Sequence, residues 1–226
     1  QLGAEGRDVT SLPMRWKKVC SSVGIAAPAL RSWWRRLRTL YTGPGRFYHT
    51  LSHLRAMFQV QTALALPLER EELVALAIFF HDAIYDPKAG DNEAKSAELF
   101  RLFAKEAGGT LSGADVDTVC SWIERTATHH VGPAEGDLAA LLDLDLSILG
   151  SEPHVYDKYA EGIMLEYSHF AYPEFLPKRI QVMEKMLGAP SLYFTPQGNA
   201  QLEASARDNI RREIVRSQAD LAKFPL

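Results

Sequence analysis

Histidine and aspartate side chains occur in three short apolar segments of this chain. In the first, His49 and His53 are four residues apart, so a helix there would project both imidazoles from one face. In the second, His81 and Asp82 are adjacent at the end of a very apolar run, and in the third Asp145 interrupts an aliphatic stretch. Because an ionised carboxylate is costly to bury unless a cation or hydrogen bonds satisfy it, these segments indicate a positively charged partner.

A divalent metal ion is the partner that this combination favours. Two neutral imidazoles, His53 and His81, and two carboxylates, Asp82 and Asp145, suit ions such as Mn, Fe, Co, Ni or Zn. With no more than four protein ligands, coordination positions would stay open for water and substrate, and such a water ionises more readily. Each segment alone is common in proteins without a metal, so the prediction depends on their combination.

The elements that must position these residues are helices. The apolar pattern is helical along nearly the whole chain, and no run alternates with period two for long enough to make a convincing strand. We predict an all-α fold, a single-domain bundle of about nine or ten helices over residues 11–226, preceded by a flexible segment over residues 1–10. The expected helices cover residues 11–23, 28–42, 46–65, 69–83, 92–107, 114–129, 137–149, 153–172, 176–187 and 200–223.

Length and charge limit the classes of function. The 226 residues, 46% of them hydrophobic, provide enough apolar material for one domain with a real core. The net charge of −3 lacks the basic footprint of a nucleic-acid binder, and we interpret the arginines of residues 31–38 as the solvated face of a helix. We expect no long nucleic acid as substrate, and any phosphate binding must come from local cations or a metal.

The sequence favours a cytoplasmic protein with reduced thiols. Cys20 and Cys120 lack the spacing of a redox or metal motif, and no secretory signal points to an oxidising compartment, although one disulfide is arithmetically possible. Neither cysteine lies in the segments above, which argues against a structural zinc site. The longest apolar run, residues 73–80, is too short to span a bilayer, so no membrane partner is expected.

The order of the four proposed ligands resembles the HD superfamily of metal-dependent phosphohydrolases, whose pattern is His, then His-Asp, then Asp. Here that order reads His53, His81-Asp82 and Asp145. The sequence is more closely similar to a bacterial subgroup known as predicted metal-dependent HD phosphohydrolases, over about residues 16–215. The segments that carry this similarity are residues 46–54, 80–86, 92–97, 143–150 and 192–195.

The resemblance implies an HD-type, phosphodiesterase-like all-α fold, one or two divalent metal ions per chain, and hydrolysis at phosphorus by metal-activated water. The expected substrate is a phosphate ester of a nucleotide or another small molecule, and the resemblance names no particular one. One departure concerns Met164, two residues before Glu166 and Tyr167, where the subgroup often has arginine. That departure argues against a phosphate-clamping role for this position.

A more distant similarity, to cyclic-nucleotide phosphodiesterases, concerns the Tyr-His-x-x-x-His segment. In those enzymes the first histidine donates a proton to the leaving group and the second binds metal. The similarity implies that His49 is a general acid and that His53 is a ligand. His49 could equally be a hydrogen-bonding support for a ligand. Two alternative functions therefore stay open: a phosphodiesterase, and a non-catalytic sensor that binds a metal or nucleotide.

Further candidates surround the proposed centre. Asp86 could orient the attacking water or a ligand histidine, or it could be a turn residue before a proline. Glu93 could be a general base or bind a second metal, although a carboxylate in the first turn of a helix is favourable anyway. His129 could bind a second metal or the substrate, and His130 is the weaker candidate. Asp143 is the alternative ligand, although its spacing from Asp145 should make it face away on a helix.

Three arginines are candidates for phosphate contacts because a phosphate ester needs local positive charge. They are Arg46, Arg179 and Arg207.

Overall fold

The computed structural model describes residues 11–132 and 135–224, and over these residues it contains ten α-helices, one 3-10 helix and no strand. The predicted all-α fold is therefore confirmed. The predicted flexible segment, residues 1–10, lies outside the described residues. The helices are α1 (Leu12–Ser22), α2 (Ala27–Tyr41), α3 (Leu51–Leu64), α4 (Glu71–Phe80), α5 (Asn92–Ala107), α6 (Gly113–Arg125), α7 (Gly136–Asp145), the 3-10 helix (Leu146–Gly150), α8 (Pro153–Glu166), α9 (Tyr172–Gly188) and α10 (Pro196–Leu221).

Helix α4 forms the centre of the larger hydrophobic core. It is apolar on nearly every face because α1, α3, α5, α6 and α7 pack around it. Aromatic contacts define its position, and the ring centroids of Trp16 and Phe79 lie 5.1 Å apart in an edge-to-face arrangement. Since His81 and Asp82 follow the last residue of this helix, the core fixes where the two side chains emerge.

A smaller core joins the 3-10 helix to α8, α9 and α10. Its buried members include Tyr156, Met183, Tyr193 and Ile210. The Tyr193 hydroxyl donates a hydrogen bond of 2.9 Å to the Leu146 carbonyl, which ties the segment before α10 to the end of α7. The C-terminal helices thereby lie beside the ends of α4 and α7, where the candidate ligands are found.

Several helix boundaries differ from the sequence prediction, and two of these differences place His49 and His129 outside helices. Helix α3 begins at Leu51, where Thr50 caps it by accepting the Ser52 N–H, so His49 precedes the helix and does not share a helical face with His53. Helix α6 ends at Arg125 instead of reaching His129. His129 has a φ of 49°, in the left-handed region, which a continuing right-handed helix could not contain.

The two cysteines lie in the hydrophobic core and do not pair with each other. Cys20 and Cys120 are buried free thiols, and burial raises the pKa of Cys120 to about 11, so it stays protonated at neutral pH. Among the helices of residues 11–132 and 135–224, none is both long and apolar enough to cross a membrane.

Asp143 holds the segment before α10 against α7. Its carboxylate is fully buried and accepts hydrogen bonds from the Phe194 N–H at 2.7 Å, the Thr195 N–H at 2.9 Å and the Thr195 hydroxyl at 2.6 Å. Asp143 thus points away from Asp145, as its spacing predicts, and its hydrogen-bonding capacity is used in joining two elements.

Replacing Asp143 with alanine should destabilise the fold because it leaves buried donors on residues 194 and 195 without an acceptor. We expect Asp143→Ala to lower the free energy of unfolding by roughly 3 kcal/mol. The matched control is Asp157→Ala, which removes a surface carboxylate that pairs with arginines and should cost less than about 1 kcal/mol. Urea unfolding monitored by circular dichroism measures both, and equal costs would contradict the structural role.

Candidate metal centre

Four predicted ligands converge at the ends of three helices. His53 lies in the first turn of α3, His81 and Asp82 follow α4, and Asp145 is the last residue of α7. One donor atom from each residue lies within 4.8 Å of all the others, so this group could hold a metal ion. Both histidines are buried, and the carboxylates are 14% and 15% exposed, which leaves one side of the group open.

The spacing of the donor atoms fits a shared cation. The Nε2 atom of His53 lies 3.2 Å from Nε2 of His81 and 3.1 Å from Oδ1 of Asp145. Nε2 of His81 lies 3.0 Å from Oδ2 of Asp82. Ligand atoms roughly 2.1 Å from a common ion are separated by about 3.0 to 3.4 Å in tetrahedral or octahedral arrangements. These separations therefore match the ligand set that the sequence predicts.

The tautomer of His81 also favours a cation. Its Nδ1 atom lies 3.0 Å from the Ile78 carbonyl oxygen, which can only accept a hydrogen bond, so Nδ1 carries the proton. In the neutral ring the lone pair on Nε2 then faces the carboxylates of Asp82 and Asp145. On the other ring, Nδ1 of His53 contacts the Tyr48 hydroxyl at 3.0 Å, which orients it.

The buried carboxylates need compensating positive charge. Burial by itself would raise the pKa of Asp82 and Asp145, but the neighbouring histidines hold the pKa of both well below the usual range. Burial would likewise lower the pKa of His81, and the two carboxylates raise it instead. A proton on His81 supplies that charge in the protein alone. A divalent cation would supply it through all four donors, so the donor set fits a metal.

Glu166, the last residue of α8, positions His49. Its Oε1 atom accepts the N–H groups of Phe47 at 2.8 Å, Tyr48 at 2.8 Å and His49 at 2.9 Å. Its Oε2 atom contacts His49 Nδ1 at 2.6 Å and accepts the Tyr85 hydroxyl at 2.9 Å. The glutamate thereby fixes both the backbone and the imidazole of His49 from an element far away in sequence.

Glu166, the buried member of its pair with His49, is ionised. Burial would raise the pKa of Glu166, but hydrogen bonds from His49 and the backbone lower it to about 2. Burial would lower the pKa of His49, and the charge of Asp82 together with the Glu166 hydrogen bond raises it instead. Because Nδ1 donates to Glu166, Nε2 is the ring nitrogen available to a ligand. The ring stacks on Tyr85, with 4.2 Å between centroids.

A cavity of about 510 Å³ opens beside the four-residue group. Asp82, Asp145 and His49 line it, and so do two further candidates, Glu93 and His129. The Nε2 atom of His129 lies 3.2 Å from Oδ2 of Asp145, the carboxylate oxygen that faces away from His53. Glu93 projects from the first turn of α5. The structure therefore places both residues at one small-molecule cavity with the proposed ligands.

Asp86 lies apart from this cavity. It is exposed, and its carboxylate accepts the Lys88 N–H at 2.9 Å within the turn that follows Asp82. The Asp86 backbone exchanges hydrogen bonds with the Asn92 amide. Its carboxylate contacts no ligand histidine in the described structure, so the turn alternative describes Asp86 better than the catalytic one.

The three candidate arginines are engaged elsewhere. Arg46 donates to the carbonyls of His49 at 2.8 Å and Ala83 at 2.9 Å, which links the loops before α3 and after α4. Arg207 pairs with a glutamate one turn away on α10 and donates to carbonyls at the end of α9. Arg179 lines the cavity, but Glu213 holds its guanidinium in a buried ion pair of 2.7 Å.

The sequence interpretation missed Glu166 as a functional candidate. It pairs with a histidine 117 residues away, and an isolated glutamate at the end of an amphipathic helix gives no pattern that predicts such a contact. The sequence signal was the position of Glu166 in a Glu-Tyr dipeptide that the related subgroup also has. The family comparison drew attention to that dipeptide only because Met164, two residues before it, replaces an arginine.

The chain matches no protein-family model, no curated protein and no solved structure. The capabilities of the site therefore follow from its own residues. A buried donor set that fits a cation lies beside a cavity of small-molecule size, and a histidine held by Glu166 lines the same cavity.

Glu166 should contribute a pH-dependent part of the stability. Its pKa in the folded protein, about 2, lies below its ordinary value of 4.5, so the ionised form stabilises the fold above pH 4.5. This contribution, about 3 kcal/mol, is lost as the pH falls from 4.5 towards 2. Glu166→Gln removes the titrating group, so its deficit relative to the parent protein should shrink as the pH falls.

Urea unfolding of both proteins between pH 6 and pH 3 measures this difference. The control is Glu184→Gln on α9, an exposed position that should stay within about 0.5 kcal/mol of the parent throughout. A deficit of Glu166→Gln that remains constant with pH would contradict the assigned charge on Glu166.

Proposed function

We propose that this chain is a metal-dependent phosphohydrolase of the HD superfamily that cleaves a phosphate ester of a nucleotide or another small molecule. The observation that carries the proposal is the buried group of His53, His81, Asp82 and Asp145, whose donor atoms converge at the edge of a cavity. The same four residues, in the same order, carry the resemblance to that superfamily.

These four residues would hold the metal ion. A divalent ion of the Mn, Fe, Co, Ni or Zn class would supply positive charge to the phosphoryl oxygens and acidify a water molecule beside the phosphorus. Local positive charge is needed because the net charge of the chain is −3 and the candidate arginines are engaged elsewhere. Glu93 and His129 line the same cavity, and His129 contacts Asp145, which supports a role in binding a second ion or the substrate.

His49 would act as the general acid in this reaction. Glu166 holds a proton on Nδ1, so a second proton on Nε2 makes the ring a cation that can donate to a leaving alkoxide. The charge of Asp82 and the hydrogen bond to Glu166 both raise the pKa of His49, and the Glu166 contribution would remain with a metal bound at Asp82. This arrangement is the specific support for the phosphodiesterase variant of the proposal, in which the leaving group is the alcohol of a diester.

The cavity size supports a small substrate and no long nucleic acid. Its volume of about 510 Å³ is in the range of small-molecule sites. The negative net charge gives no electrostatic attraction for a polyanion. Together with the buried reduced thiols, which suit a reducing compartment, these features support a cytoplasmic enzyme acting on a metabolite.

Metal binding is the first measurement. Protein purified without chelator should contain roughly one or two divalent ions per chain by elemental analysis. His81→Ala and Asp145→Ala should lose that metal and lower kcat/KM by more than about 100-fold. Asp86→Ala is the matched control, because its carboxylate lies in the adjacent exposed turn, and it should keep both metal and activity.

Protein that stays metal-free after addition of Mn, Fe or Co would overturn the proposal. Activity is measured on a panel of nucleoside monophosphates, triphosphates and cyclic nucleotides. A metal-loaded protein that binds but does not hydrolyse any of them would instead favour the non-catalytic sensor.

His49→Gln should separate proton donation from metal binding. The variant should retain the metal and lower kcat by roughly 100-fold or more, since general acid catalysis contributes on that order. The loss should be smaller for substrates with acidic leaving groups such as p-nitrophenol, because they need no proton on departure. Equal losses for good and poor leaving groups would assign His49 a supporting role alone.

A further inference from the structure

Part of the cavity wall is apolar and aromatic. It is built by the end of α8 and the start of α9, and Tyr167, Phe170 and Phe175 belong to it. The rings of Tyr167 and Phe175 lie 6.2 Å apart between centroids. Val182 also lines this wall and remains 47% exposed, so part of the wall is open to a ligand.

Lys178 stands at the edge of this aromatic wall. Its Nζ atom lies 5.0 Å from the centroid of the Phe170 ring, in a cation–π contact, and the residue is exposed. Among the ion pairs formed by residues 11–132 and 135–224, none includes Lys178. Its neighbour Arg179 also lines the cavity, but Glu213 neutralises that guanidinium. Lys178 is thus the lining cation whose charge is available to a ligand.

Charge is therefore distributed unequally along the cavity. Asp82 and Asp145 line the part at the four-residue group, where a metal would be needed to accept a phosphate group. Lys178 provides positive charge at the aromatic part. A ligand that fits both parts needs an anionic group at each end. It also needs an apolar surface between them, because a ligand displaces water from the aromatic wall and apolar contact compensates for that loss.

We propose that the substrate is a phosphate ester whose leaving group carries a flat apolar ring and a second anionic group. The ring packs against Phe170 and Tyr167, and the second anion pairs with Lys178. This assignment rests on the proposed phosphohydrolase function, because it places the scissile phosphate at His53, His81, Asp82 and Asp145. It makes Phe170 and Lys178 determinants of specificity with no part in the chemical step.

Three synthetic esters test the assignment: glycerol 1-phosphate, benzyl phosphate and 4-carboxybenzyl phosphate. All three have a primary alkoxide leaving group, so differences in intrinsic reactivity are small. With the metal-loaded protein we expect KM to fall about tenfold from the glycerol to the benzyl ester, through aromatic packing. It should fall about fivefold more for the carboxybenzyl ester, through the Lys178 ion pair. Similar KM values for all three would overturn the assignment.

Variants separate the two contacts. Lys178→Ala should raise KM about fivefold for 4-carboxybenzyl phosphate alone, with kcat nearly unchanged. Phe170→Leu should raise KM for both benzyl esters and leave glycerol 1-phosphate unaffected. Lys185→Ala is the matched control, because Lys185 is exposed on the same helix and does not line the cavity. A Lys178→Ala effect equal on all esters, or reproduced by Lys185→Ala, would overturn the role of Lys178.

Direct binding distinguishes failure of this assignment from failure of the proposed function. Calorimetric titration with benzylphosphonate and 4-carboxybenzylphosphonate, which are not hydrolysed, should show the same fivefold difference, abolished in Lys178→Ala. If the phosphonates bind with this preference but no ester is hydrolysed, the catalytic function fails and the ligand class stands. If the esters are hydrolysed with no preference in KM or in binding, the ligand class fails and the catalytic function stands.

Discussion

Two ionised aspartates placed side by side in a largely buried pocket require a positive charge between them, and the surrounding structure is arranged around that requirement. Asp82 and Asp145 come from the ends of two apolar helices, α4 and α7, whose packing leaves the carboxylates no route to full solvation. Moving the two aspartates apart would disrupt the larger hydrophobic core, which has α4 at its centre. The charge must therefore be supplied in place, by His81 as an imidazolium or by a cation bound to all four donors.

Glu166 is another buried carboxylate whose partners come from a distant part of the chain, the segment before α3. A short segment before α3 has three N–H groups that no helix satisfies, and one carboxylate oxygen accepts all three. The other oxygen holds His49. One residue from α8 thereby connects the C-terminal helices to the loop that carries the proposed acid. Loss of that link would disturb the backbone and the imidazole together, which explains why a single buried glutamate can have both structural and functional consequences.

The parts of the site that could be predicted are those for which the sequence itself reveals a physical cost. Asp82 and Asp145 interrupt apolar runs, so the sequence alone shows that their carboxylates need a partner. The period of the apolar residues predicts the helices. The start of α3 was predicted wrongly because the backbone N–H of His49 donates to Glu166, 117 residues away, instead of taking part in a helix. This distant contact overrides the helical spacing of His49 and His53. The role of Asp86 could not be predicted either, because the hydrogen bond that its carboxylate accepts within the turn is evident only in the folded chain.

The distribution of charge explains how an acidic protein could accept an anionic ligand. Its net negative charge attracts no anions over long range, and Arg179, the arginine that lines the cavity, is paired with Glu213. Recognition must then come from short-range contacts at the cavity, and water screens the contact at the largely buried four-residue group less than the contact at exposed Lys178. A cation at the four-residue group and the free ammonium of Lys178 would act at two separated points, so they would select a ligand by the distance between its charges as well as by its net charge.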